Sequence, residues 1–221
     1  MFFKNTKLDI DAAMQNDPAA RSRLEVYLTY SGIKALRAYR TANFFYRHNM
    51  KLLARIISQR AKRRTGIEIH PAAKIEPGVF IDHGSGVVIG ETAVVERGVV
   101  IYQGVTLGGT GKDKGSKRHP TIKHDCILSA GAKILGGITI HENCKIGASS
   151  VVLFDVPANS TVVGIPGKII KRNGQKVHDL EQDKRDPVAD EIKQNRKLIK
   201  ELIERIENLE KEIKKWNYLI L

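Results

Sequence analysis

The sequence predicts an α+β chain in three parts: an N-terminal helical region over 1–65, a parallel β-helix of hexapeptide repeats over 66–171, and a tail over 172–221 carrying a coiled-coil helix. Three periodicities predict it. Apolar residues recur at helical spacing in the first part, at every sixth position in the second and at every seventh in the third.

In the first part Leu24, Leu28, Ile33 and Leu36 fall at helical spacing, and so do Phe45, Leu52, Leu53, Ile56 and Ile57 further on. Asp17-Pro18 reads as a helix start, with proline at the first helical position. About three helices are expected in this part.

In the second part an aliphatic residue returns every six positions, in three runs. They are Ile69, Ile75, Ile81; Ile89, Val95, Ile101, Leu107; and Ile122, Leu128, Ile134, Ile140, Ile146, Val152. Period six fits neither a helix nor an alternating strand. It fits a triangular coil of three short strands, each aliphatic side chain pointing inward and small residues turning the corners. Thirteen such repeats make a little over four coils. Two interruptions break the count. Two extra residues fall within Asp82-His83-Gly84-Ser85-Gly86, and nine extra lie between Leu107 and Ile122. Insertions in a solenoid become loops on one face, often the binding face.

Both insertions hold chemistry. His83 sits among glycines beside Asp82, where a neutral imidazole can take a proton and the glycines leave room for a substrate. Glu68 lies fifteen residues earlier, close to one eighteen-residue coil, so it can sit at a neighbouring level and orient the ring. In the longer insertion Arg118 offers a fork that matches a carboxylate, with His119 beside it. Gly108, Gly109 and Gly111 expose backbone N–H groups for an oxyanion or an extended ligand, without the residue order of a P-loop. Cys126 and Cys144 both take the fifth place of a hexad, which speaks for packing rather than nucleophilic work. His70, His124 and His141 show no metal-ligand spacing, and no metal is expected.

In the third part Ile192, Ile199, Ile206, Ile213 and Ile220 repeat by seven, as do Asn195, Leu202, Leu209 and Trp216. That is an a/d heptad flanked by Lys and Glu, with a single amphipathic helix docked on the prism as the competing reading.

The chain has 221 residues, 42% hydrophobic and 28% charged, a globular composition. No apolar run approaches the roughly 20 residues of a membrane span, and the start lacks the apolar core of a signal peptide. Two cysteines are too few for a disulfide framework, so a cytoplasmic protein with reduced thiols is expected. The net charge is +13, and no Asp or Glu occurs between Val26 and Ile67. The basic residues there are spread along helical sequence without a base-reading motif, so neither nucleic acid nor membrane is an expected partner.

The chain resembles the serine O-acetyltransferases, the hexapeptide acyltransferases that open cysteine biosynthesis. The resemblance runs from about Asp17 to Lys171. It is carried by Asp17-Pro18, Ala35-Leu36-Arg37-Ala38-Tyr39-Arg40, Glu68-Ile69-His70-Pro71, Asp82-His83-Gly84-Ser85-Gly86, Thr106-Leu107-Gly108-Gly109-Thr110-Gly111-Lys112, Arg118-His119-Pro120 and Gly164-Ile165-Pro166-Gly167. It implies a left-handed β-helix and acetyl transfer from acetyl-CoA to L-serine at a cleft between adjacent prisms of a trimer. His83 would be the general base and Glu68, which stands where the best-known members have Asp, its orienting acid. Asp17, Asp82, Arg118 and His119 match serine-binding positions. Gly109 would donate to the oxyanion, and CoA would run along Gly109, Thr110 and Ala130. L-cysteine, a serine analogue, would inhibit by feedback.

The short helical region favours a trimer over the family's dimer of trimers. The family's tail often ends in isoleucine and plugs O-acetylserine sulfhydrylase; this sequence reads Leu219-Ile220-Leu221, so that partner is not expected to dock. A sugar or other hydroxyl acceptor on the same fold, and a catalytically silent scaffold, are the rival readings. Arg118-His119 with Asp82 argues for an amino-acid acceptor.

Overall fold

The computed structural model describes residues 2–111, 115–177 and 194–209. Two compact units divide at His178 and Asp179.

The first unit opens with four helices rather than about three: α1 (Phe2–Asn16), α2 (Arg23–Thr29), α3 (Ser31–Arg47) and α4 (Lys51–Thr65). Asp17-Pro18 is not a helix start. The Asp17 N–H donates to the Ala13 carbonyl at 2.9 Å and closes the last turn of α1. The start signal belongs to Ser22, whose hydroxyl accepts from the Glu25 N–H in a Ser-x-x-Glu cap. At the far end Gly66 takes the left-handed conformation and terminates α4.

The prism follows, with three parallel faces. The first carries β1 (Glu68–Ile69), β4 (Val88–Ile89), β7 (Thr106–Gly108), β10 (Lys133–Leu135) and β13 (Val151–Val152). The second carries β2 (Lys74–Ile75), β5 (Val94–Val95), β8 (Thr121–Ile122) and β11 (Thr139–Ile140). The third carries β3 (Phe80–Ile81), β6 (Val100–Ile101), β9 (Ile127–Leu128), β12 (Lys145–Ile146) and β14 (Ser160–Val163). The chain visits the faces in rotation, and this is the left-handed β-helix of hexapeptide proteins. An antiparallel ribbon, β15 (Lys168–Arg172) and β16 (Gln175–Lys176), extends the third face.

The hexad aliphatics stack in register. Ile69 pairs with Ile89, Ile89 with Leu107, Leu107 with Ile134 and Ile134 with Val152. Both insertions are therefore extruded at corners without disturbing the ladder. Ile75 is only partly buried, and the other repeats are almost fully so. Cys126 and Cys144 are buried in this core as free thiols, their Sγ–H groups donating to the carbonyls of His141 and Pro157.

Helix α3 fastens the helical region to the prism. Leu36 and Tyr39 join the prism core, and the Tyr39 hydroxyl donates to the Ala73 carbonyl at 2.6 Å. Ile33 packs with Ile10, Val26, Phe80 and Val100 on the outer side of the third face. A buried ion pair between Asp9 and Arg40 ties α1 to α3, and the same carboxylate accepts from the Gly78 N–H of the prism. Leu24, Leu28, Leu52 and Ile56, counted above as helical apolar positions, are exposed. Among the described residues no helix is long and apolar enough to cross a membrane.

The second unit is described as a helix over 194–209. Ile192, Ile213, Trp216, Ile220 and Leu221 lie outside the described residues, as does Lys112 in the long insertion.

Candidate active site

His83 stands at the first corner from the third face to the first. The short insertion makes a tight reversal: the Gly84 N–H donates to the Asp82 carbonyl at 2.5 Å, across His83 itself. That closure holds His83 at φ 55°, the left-handed conformation also taken at the prism corners by Asp125, Asn143, Ser149 and Asn159. The result is an imidazole standing off the prism, 75% exposed, with its Nε2 3.9 Å from the Asp82 carboxylate.

A cleft of about 380 Å³ opens here, lined by Asp17, Tyr30, Gly32, Ile81, Asp82 and His83. The helical region supplies one wall and the corner the other. Asp17 reaches it from the turn after α1, where its Oδ1 accepts from the Ala19 N–H at 2.8 Å and its Oδ2 from the Tyr30 hydroxyl. The Tyr30 bond, then the Ala19 bond, hold the Asp17 carboxyl below its usual range, and the charge of His83 pulls the same way. Tyr30 answers in kind: the bond to Asp17 pushes its hydroxyl up to about 12. At neutral pH the cleft therefore presents an ionised carboxylate held by a neutral phenol. Tyr30 was not singled out by the sequence. It occupies the one-residue break between α2 and α3, and only the packing of those helices turns it to Asp17.

Arg118 and His119 lie at a different corner, between the first face and the second. His119 is 8% exposed. Its Nδ1 lies 3.2 Å from the Thr92 backbone nitrogen and 2.9 Å from the Thr92 hydroxyl, so Thr92 fixes the ring. Burial and then the Arg118 charge push its pKa below the ordinary value. The ring lies over Gly90, where a Cβ would stand 1.9 Å from its Cδ2, and its Nε2 comes within 3.0 Å of where a Gly109 Cβ would be. Thr92, to which the sequence assigned no role, accepts from the N–H groups of both Arg118 and His119 and sets the end of the long loop. The Arg118 guanidinium pairs with Glu91 at 2.7 Å. Thr110 is at the same corner, its N–H donating to the Arg118 carbonyl. Ala130 is not; it sits two coils on from His83, at His83's own corner, and its carbonyl accepts from the Ser149 N–H.

One chain thus brings Asp17, Asp82 and His83 together, with Ala130 further up the same edge, and collects Gly109, Thr110, Arg118 and His119 at another edge. Glu68 does not hydrogen-bond His83. Its carboxylate accepts from Lys62 at 2.5 Å, because the basic last turn of α4 ends directly beside β1 and offers a full charge. Among the described residues no three His, Cys, Asp or Glu converge on a possible metal position.

Residues 119–153 match the family model of the bacterial transferase hexapeptide, six repeats. The chain is 54% identical over 214 residues to a serine acetyltransferase of Bacillus licheniformis, spanning 96% of this chain and 99% of that one. Among solved structures, a serine acetyltransferase in complex with cysteine matches at TM-score 0.76 and 41% identity, covering 78% of this chain and 66% of that one. A serine acetyltransferase in complex with CoA matches at TM-score 0.73 and 40% identity, covering 76% and 70%.

Proposed function

The chain belongs to the serine acetyltransferase family, and from that premise we propose which of its residues carry the reaction. It is an acyltransferase that moves the acetyl group of acetyl-CoA to the hydroxyl of L-serine, giving O-acetyl-L-serine and CoA, the first step of cysteine biosynthesis.

In our reading His83 takes the proton from the serine hydroxyl as its oxygen attacks the thioester carbonyl. The N–H of Gly109 donates to the oxyanion of the tetrahedral intermediate. Collapse breaks the C–S bond, and the protonated His83 returns its proton to the CoA thiolate. No acyl-enzyme forms. Asp17 and Asp82 receive the ammonium of serine, and Arg118 with His119 its carboxylate. For that, Arg118 must exchange Glu91 for the substrate. Asp82 is the carboxylate beside the His83 ring, and Glu68 becomes an orienting acid once Lys62 releases it. CoA runs along Ala130, Gly109 and Thr110. The observation that carries this reading is the outward-standing His83 in one cleft with two carboxylates.

The same reading requires more than one chain. The half-sites lie at different corners of one prism, so a neighbouring copy must bring its Arg118 corner to the His83 corner. A parallel homotrimer does this three times over by one rotation. L-cysteine, with serine's ammonium and carboxylate, competes for the same groups, in line with the related enzyme solved with cysteine. Acetyl-CoA as co-substrate and two free thiols support a cytoplasmic site of action.

The test is thiol release from acetyl-CoA, with L-serine, homoserine, a galactoside or buffer as acceptor. Serine-dependent release that disappears in His83→Ala, with native mass unchanged, is the expected result. Full activity in His83→Ala overturns the assignment of the base.

A further inference from the structure

The helix over 194–209 bears an apolar stripe that lies open. Leu198, Ile199, Leu202, Ile203, Ile206 and Leu209 are each 51–55% exposed. Around the stripe the helix is charged, with Lys197, Lys200, Glu201, Glu204, Arg205 and Glu207. A helix so divided needs something to cover its apolar side.

The pattern names the cover. With Ile199 and Ile206 at a and Leu202 and Leu209 at d, Leu198 falls at g and Ile203 at e. In a parallel, in-register assembly each g position faces the e position five residues on in the next helix. That alignment sets Leu198 against Ile203 of a second copy, apolar on apolar. In the sequence the other g and e positions of the heptad match likewise, Glu191 with Arg196 and Arg205 with Glu210, acid with base. Antiparallel alignments lose this match: stacking Ile199 on Leu209 sets Arg205 against its own copy. The apolar stripe is also wider than a two-helix seam requires, since Leu198 and Ile203 extend it on both flanks.

We propose that this segment forms a three-stranded parallel coiled coil with the same segment of two further copies of the chain. Ile at a with Leu at d is by itself the two-strand pattern, so the strand number rests on the trimeric reading above and on the widened stripe; the parallel register rests on the heptad flanks alone. Helices running in the same direction share one rotation axis, so the coil fastens the copies of one trimer. Joining two trimers back to back would need opposed directions.

The experiment is disulfide trapping in the full chain. Ile206→Cys places a thiol at an a position, where parallel helices bring equivalent residues together. Lys197→Cys at an outer f position is the control, and the native cysteines are buried. Under mild oxidation Ile206→Cys is expected to form linked pairs that the control does not, at a native mass of three chains before and after. Linkage should stop at about two chains in three, because three thiols at one layer leave one over. Linkage no better than the control, at a native mass of three chains, overturns the coil and leaves the trimer standing. Complete linkage at a native mass of two chains overturns both the strand number and the trimeric reading. A native mass that doubles on oxidation shows the coil joining separate assemblies and overturns its place within one trimer.

Discussion

Alanine at Gly84 tests how the prism holds the bulge that carries His83. Gly84 has φ +77°, where an L residue costs about 1–2 kcal/mol. Its new Cβ would stand 2.5 Å from Ile67 Cδ1 and 3.0 Å from Ile67 Cγ1, with Ile81 Cγ2 at 3.1 Å. Ile67 and Ile81 are 1% and 2% exposed, so neither can swing into solvent. Forcing a methyl group into such packing costs about 1–3 kcal/mol, for a total of about 2–5 kcal/mol. Gly174→Ala isolates the backbone part: it has φ +78° with nothing within 4 Å, and should cost only about 1–2 kcal/mol. Urea unfolding of both variants, with kcat for acetyl transfer to L-serine, separates two outcomes. If the core yields, Gly84→Ala loses about 1–3 kcal/mol more stability than Gly174→Ala. If the bulge yields, stability is spared but His83 moves, and kcat falls about tenfold for each 1.4 kcal/mol of misplacement. A Gly84→Ala protein that matches Gly174→Ala in stability and the parent in kcat would refute the argument.

Three further outcomes follow from the same structure. Tyr30→Phe removes a bond to the Asp17 carboxylate at a partly exposed cleft, worth about 1 kcal/mol once solvent screening is allowed for; KM for L-serine should rise about fivefold with kcat nearly unchanged, and the acid limb of kcat/KM should move to higher pH as the Asp17 carboxyl climbs back towards its ordinary value. An unaltered KM and pH profile would remove Tyr30 from the site. Asp9→Ala strands the buried Arg40 guanidinium and takes the acceptor from the Gly78 N–H, costing about 3–5 kcal/mol, whereas Asp9→Leu with Arg40→Met should recover most of that in thermal unfolding. Burial pushes the imidazoles of His70 and His119 below their ordinary value of 6.5, so the folded state prefers them neutral. Their contribution is complete above that value and is lost as pH falls below it, because the unfolded chain takes up the protons first; the urea midpoint should drop from pH 7 to pH 5, and less steeply in His70→Gln.

Ile122 to Val152 needed no structure to be understood, because a period of six has one good geometric solution and each of these side chains meets its equivalent one coil away. The insertions at Asp82 and after Leu107 were legible for the same reason: they break an otherwise strict count. The helix start that Asp17-Pro18 suggests is absent, because Asp17 closes α1 instead. A proline after an acid signals a helix start only if the preceding residues are not already helical, and the weak apolar pattern of α1 hid that helix. Leu24, Leu28, Leu52 and Ile56 carried helical spacing without burial, since spacing says which side chains share a face and not whether a partner covers it.

Sequence alone determined the prism, the corner at which His83 leaves it, the family resemblance and the heptads of the tail, all of which are written in local spacing. Tertiary structure decided what local spacing cannot carry. It joined Tyr30 to Asp17 across thirteen residues, gave Glu68 to Lys62 rather than His83, and sank His119 against Gly90 under the hand of Thr92. It also set Arg118 and His83 at different corners of one chain. Those relations depend on how helices dock on a prism and on which charge arrives first at a carboxylate, and neither is encoded in the interval between two residues.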